Sequence, residues 1–101
     1  MGRCVSAGRI CLLVLMVTAG PCLAESTVEP RTDRYGADYS HLDLAQPSPG
    51  DCMKACLSDR RCRAWSYVRP EDTGGPRAKC WLKDAVPPAT TDDCCTSGVV
   101  Q

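Results

Sequence analysis

The sequence predicts a small α+β domain, stapled by disulfides and exported from the cytoplasm. Three observations predict it. Nine cysteines fall within 101 residues, a density typical of disulfide scaffolds or metal sites. An uncharged apolar run follows a basic N-terminus. Further on, one capped-helix signal precedes two short strand signals that flank a turn-rich loop.

The length suits one domain. The chain has no Phe, two Trp and three Tyr, so its apolar core is small and covalent staples are physically expected. Formal charge is zero; without Arg3 and Arg9, ten basic residues face twelve acidic ones. That balance gives no electrostatic reason to expect nucleic acid or an anionic membrane as partner.

Residues 1–24 read as a signal peptide. Arg3 and Arg9 supply the positive start, and residues 10–20 (ICLLVLMVTAG) the apolar region. That run is too short to span a bilayer, which takes roughly 20 residues. Pro21 ends any helix there. Cys22 and Ala24 are the small residues a peptidase reads, so the cut falls after Ala24 and Glu25 begins the mature chain. Pro21 also argues against a lipoprotein signal, where a small residue precedes the lipidated cysteine. Cysteine parity agrees: Cys4, Cys11 and Cys22 leave, and Cys52, Cys56, Cys62, Cys80, Cys94 and Cys95 remain. An even number in an exported chain reads as up to three bridges. The mature product is thus secreted or periplasmic, with no stable membrane insertion after cleavage.

Residues 25–34 read as a flexible lead-in, polar and without apolar period, and residues 35–101 as the folded domain. Residues 35–44 (YGADYSHLDL) alternate in their second half, which predicts a strand with Tyr39, His41 and Asp43 on one face. Ser48 and Pro49 signal a helix start, with Asp51 three residues beyond Ser48 as in a capping box. The predicted helix covers residues 49–58 and carries Cys52 and Cys56 on one face. A helix of ~10 residues is marginal alone, so tethering to a sheet would fix it. Residues 63–69 (RAWSYVR) and 79–83 (KCWLK) read as strands around the loop at residues 70–78, and residues 96–100 as a closing edge strand.

Continuing parity from Cys62 puts Ala64, Ser66 and Val68 on one face, with Cys80 and Leu82 on the same face of the partner strand. If the helix is bridged to Cys62 and Cys80, that face meets the helix. Trp65, Tyr67 and Trp81 then project from the other side. They form either a second small core, covered by the terminal segments, or an exposed binding surface.

At these residues the chain resembles the PAN/Apple domain family, specifically its short bacterial-type PAN module. The resemblance rests on DCMKACLSDRRCRAWSYV (residues 51–68), CWLK (80–83) and SGV (97–99). It implies an antiparallel sheet with one helix packed across it. It also implies a nested pairing, carried over as Cys52–Cys80 and Cys56–Cys62. In the loop-entropy picture these contribute ~3.5 and ~2.4 kcal/mol, as non-additive upper estimates. The chain departs from the family at its ends, since no cysteine of the mature part precedes Cys52. Cys94 and Cys95 must pair with each other, pair with another chain, or stay free. The vicinal bridge Cys94–Cys95 is the first reading; an intermolecular link, giving a disulfide-linked dimer, is the second.

The remaining chemistry is thin. Cys-x3-Cys followed by Cys62 falls within zinc-ligand spacing, but export favours oxidation and His41 is the only histidine, so neither metal nor cofactor is predicted. His41 beside Ser40 and Asp43 makes no triad, because strand neighbours diverge, and no catalytic residue is assigned. The basic cluster Arg60, Arg61, Arg63 and Arg69 suits sulfated or acidic groups, or simply a solvated turn. The resemblance implies a non-catalytic module that binds a protein or carbohydrate outside the cytoplasm. Candidate ligand contacts are Arg60, Arg61, Arg63, Trp65, Tyr67 and Trp81. Two other readings stand beside it: a structural or oligomer-forming envelope protein linked through its C-terminal cysteines, and a small secreted enzyme inhibitor using the loop at residues 70–78.

Overall fold

The computed structural model describes residues 26–100. The expected leader and its cut after Ala24 lie outside the described residues. Among the described residues there are five strands: β1 (Glu29–Asp33), β2 (Asp38–Leu44), β3 (Ala64–Val68), β4 (Ala78–Lys83) and β5 (Thr90–Val99). They form one sheet in the order β1-β5-β3-β4-β2, antiparallel throughout. One helix, α1 (Pro49–Leu57), packs across one face, and a 3-10 turn covers Pro70–Asp72.

Local chemistry places α1. The Ser48 hydroxyl accepts a bond from the Asp51 N–H at 3.3 Å, and Pro49 opens the first turn, where its missing N–H costs nothing. Cys52 and Cys56 are the buried residues of the helix. Cys52 bridges to Cys80 of β4 with a Cα–Cα distance of 5.3 Å, and Cys56 to Cys62 at 5.2 Å. One bridge ties the helix to β4, and the other closes the turn that leads into β3.

The strand register decides what lies beneath the helix. Trp65 pairs with Leu82 and Tyr67 with Cys80, while Leu42 pairs with Cys80 and Leu44 with Ala78. Paired residues share a face, so Trp65, Tyr67, Cys80, Leu82, Leu44 and Ala78 line the helix side and form the core with Cys52, Cys56 and Cys62. This corrects the parity argument. Trp65 and Tyr67 face the helix, and Ala64, Ser66 and Val68 face away. The reason is the bend at Arg63: Cys62 precedes the strand, so alternation does not carry from it into β3. Trp81 alone of the three aromatics projects from the opposite face.

Two end segments also differ from expectation. Residues 29–33, read as part of a flexible lead-in, form β1. An edge strand needs no apolar period, since its hold is the backbone ladder to β5, and Pro30 is tolerated at an edge. A bulge at Arg31, whose φ is 53°, absorbs the register shift. Arg34 then clamps the strand from its end, donating to Glu29 at 2.9 Å and to the Pro87 carbonyl at 2.6 Å. The closing strand is Thr90–Val99, longer than expected, and it is interior because β1 covers its outer side.

Candidate functional site

β1 and β2 are consecutive in the chain yet lie at opposite edges of the sheet. Residues 34–37 must therefore cross the face that the helix leaves bare. We call this segment the strap. Gly36 at φ 111° and Ala37 at φ 61° give it the turn it needs; positive φ suits glycine and is uncommon elsewhere.

Lys83 holds the strap down. Its side chain is 3% exposed, and Nζ donates to the Gly36 carbonyl at 3.1 Å and to the Asp38 carboxylate at 2.5 Å. The Asp84 N–H adds a bond to the Ala37 carbonyl at 3.1 Å. At the β1 end, the Ser66 hydroxyl lies 3.4 Å from Asp33 and 2.7 Å from the Ser97 hydroxyl, and Ser97 donates to the Thr32 carbonyl at 2.9 Å. These small hydroxyl residues let the end of β1 and the strap lie close over β3 and β5 while both hydroxyls find partners.

Beside the strap a groove of about 380 Å³ opens, lined by Asp33, Tyr35, Asp38, Ser66, Val68, Asp72, Trp81, Lys83, Cys94 and Cys95. Tyr35 is 86% exposed on the strap. Trp81 is half-buried, with the His41 ring 4.6 Å from its own. Cys94 and Cys95 are bonded to each other, and their sulfurs lie within 4.8 Å of an Asp33 carboxylate oxygen. Joined in this way they are not thiolates, so this cluster lacks the donor set of a metal site.

The six candidate contacts do not form one surface. Trp65 is fully buried and Tyr67 is 6% exposed, so neither can touch a ligand. Arg60, Arg61 and Arg63 are exposed at the turn from α1 to β3. Arg61 pairs with Asp84 at 3.3 Å and sits 4.4 Å over the Tyr39 ring. Burial, together with Asp59, pushes the Tyr39 hydroxyl up to about 12. The backbone N–H of Arg61 holds the Asp59 carboxyl below its ordinary range, as does Tyr39. Trp81 alone lies in the groove. Its other lining residues were missed because they come from β1, the strap, β2, β3, β4, the 3-10 turn and the middle of β5, and no local pattern announces that gathering.

Comparison with known proteins bears on this architecture. A family profile for the PAN domain matches residues 32–83, from the end of β1 through the strap, α1, β3 and β4. An uncharacterized protein of Acanthamoeba polyphaga mimivirus is 30% identical over 82 residues, covering 80% of this chain and 22% of the viral protein. The chain thus spans less than a quarter of that relative's length. The matched residues contain both helix bridges and the strap that builds the groove: the chain belongs to the PAN domain family.

Proposed function

We propose that this protein is a non-catalytic binding module that acts outside the cytoplasm and recognises a protein or carbohydrate ligand through the strap groove. The observation that carries this is that half-buried Trp81 and exposed Tyr35 line one largely apolar cleft that also holds a few polar groups. Aromatic faces at the mouth of a groove, with a few fixed polar groups, are what recognition sites use. Export agrees with the three bridges, since structural disulfides are mostly found in oxidising compartments. The leader is then removed after Ala24, and no helix among the described residues is long and apolar enough to cross a membrane.

The test is binding by the oxidised protein to arrays of glycans and of extracellular peptides. Trp81→Ala should abolish the strongest signal with the thermal midpoint unchanged, while Arg63→Ala should leave it. Binding that survives Trp81→Ala but is lost on Arg63→Ala would move the site to the basic turn. N-terminal sequencing of the exported product should begin at Glu25.

A further inference from the structure

The charges lining the groove do not cancel. Three carboxylates line it, from Asp33, Asp38 and Asp72, against one cation, Lys83. Lys83 is spent on Asp38 at 2.5 Å, and Asp72 is met by Arg69 at 2.5 Å from outside the lining. The nearest cations on β1 and the strap are also engaged: Arg31 pairs with Asp93 and Arg34 with Glu29, each at 2.9 Å. That leaves Asp33. Among the described residues no Lys or Arg lies within ion-pair distance of it, and its side-chain partner is the neutral Ser66 hydroxyl. Asp33 is half-buried beside the Cys94–Cys95 sulfurs, in a groove whose other walls are Trp81, Tyr35 and Val68.

A partly desolvated carboxylate without a counter-ion, in a groove also lined by Trp and Tyr rings, is the arrangement that attracts a cation. Lys79 Nζ lies 6.0 Å from the Trp81 ring centroid and the His41 ring 4.6 Å from it, so an entering cation meets the part of Trp81 left open to the groove. Anionic glycans are disfavoured here, since the one lining cation is neutralised within the fold. We propose that the groove captures an ammonium or guanidinium group, the side chain of a Lys or Arg on a partner protein, with Asp33 as its counter-charge and Trp81 and Tyr35 as its aromatic walls. This rests on the groove being the binding site, and it names the class of group that enters.

The oxidised protein is titrated with acetyl-arginine methylamide and acetyl-lysine methylamide, and separately with neutral methyl glycosides. NMR follows the two indole N–H signals and the backbone amides. The cationic probes should shift the signals of Trp81, Tyr35 and Asp33 and leave the Trp65 indole in place. Asp33→Asn, which keeps an acceptor for Ser66, should weaken the binding roughly tenfold, Asp33→Glu should retain most of it, and added salt should weaken it. Glycosides that occupy the groove while the cations do not would overturn the inference and leave the binding-module reading standing. Cation binding indifferent to Asp33→Asn would also overturn it. A groove silent to both classes would remove the site together with the inference.

Discussion

The Trp65 indole lies against Gly98, its partner across β3 and β5, so closely that a Cβ on Gly98 would fall 2.5 Å from two ring carbons. The Thr27 carbonyl crowds the same point. Real Cβ atoms do not approach so near, so either the ring or the backbone would have to move. Gly98→Ala should therefore destabilise by about 1–3 kcal/mol through overpacking, lowering the thermal midpoint by roughly 4–8 °C per kcal/mol. An unchanged midpoint would show that the indole is free to shift.

Lys83 makes a second prediction. It is a buried cation whose carboxylate partner, Asp38, is about one-third exposed. Lys83→Met removes the charge and its two contacts, to Gly36 and Asp38, and should cost about 1–3 kcal/mol, since it leaves partly buried acceptors unpaired. Denaturant melts measure the loss. Hydrogen exchange at Asp84, whose N–H bonds Ala37, should accelerate as the strap loosens. Adding Asp38→Asn should recover part of the stability, because no uncompensated charge then remains. A double variant no better than the single would mean that the Gly36 contact matters more than the charge.

The Glu29–Arg34 pair predicts a pH dependence. Arg34's side-chain hydrogen bond is the main cause holding the Glu29 carboxyl below its ordinary range, opposed by desolvation. The folded value is lower than the unfolded one, so folding favours the carboxylate. The stability this supplies is fully present above the unfolded value, about 4.3, and is lost as pH falls through the lower folded value. Glu29→Gln should cost about 0.5–1 kcal/mol at neutral pH and flatten that part of the acid limb in denaturant melts recorded against pH. Equal loss at every pH would point to packing.

The cysteines predict a hierarchy. Cys52–Cys80 spans 28 residues of sequence and Cys94–Cys95 spans one. Replacing both Cys52 and Cys80 by Ala should cost about 3.5 kcal/mol, a large share of a typical total of ~5–15 kcal/mol. Replacing Cys94 and Cys95 together should cost much less, since linking neighbours constrains little chain. Non-reducing electrophoresis should show a monomer, and peptide mapping of the oxidised protein should recover all three pairs. A dimer lost on Cys94→Ser would instead support the envelope-protein reading.

The local structure was legible in the residues alone. The Ser48-Pro49 start set α1, four-residue spacing put Cys52 and Cys56 on one helical face, and the aromatic runs marked β3 and β4. The stretches at residues 51–68, 80–83 and 97–99 together carried the resemblance to the family. These features depend on neighbours in the chain, which is why they can be read there. Which face of β3 meets the helix was decided by the bend at Arg63, and alternation cannot count across a bend. That one step exchanged the two faces of β3 and put Trp65 and Tyr67 under the helix. β1 and the groove were decided later still, by pairing between segments more than fifty residues apart. Edge strands are held by backbone bonds that any side chain permits, so polar residues 29–33 carried no mark of it. The strap exists only because β1 and β2 fall on opposite edges, and Asp33, Tyr35, Trp81 and the Cys94–Cys95 pair meet only because the strap crosses between them.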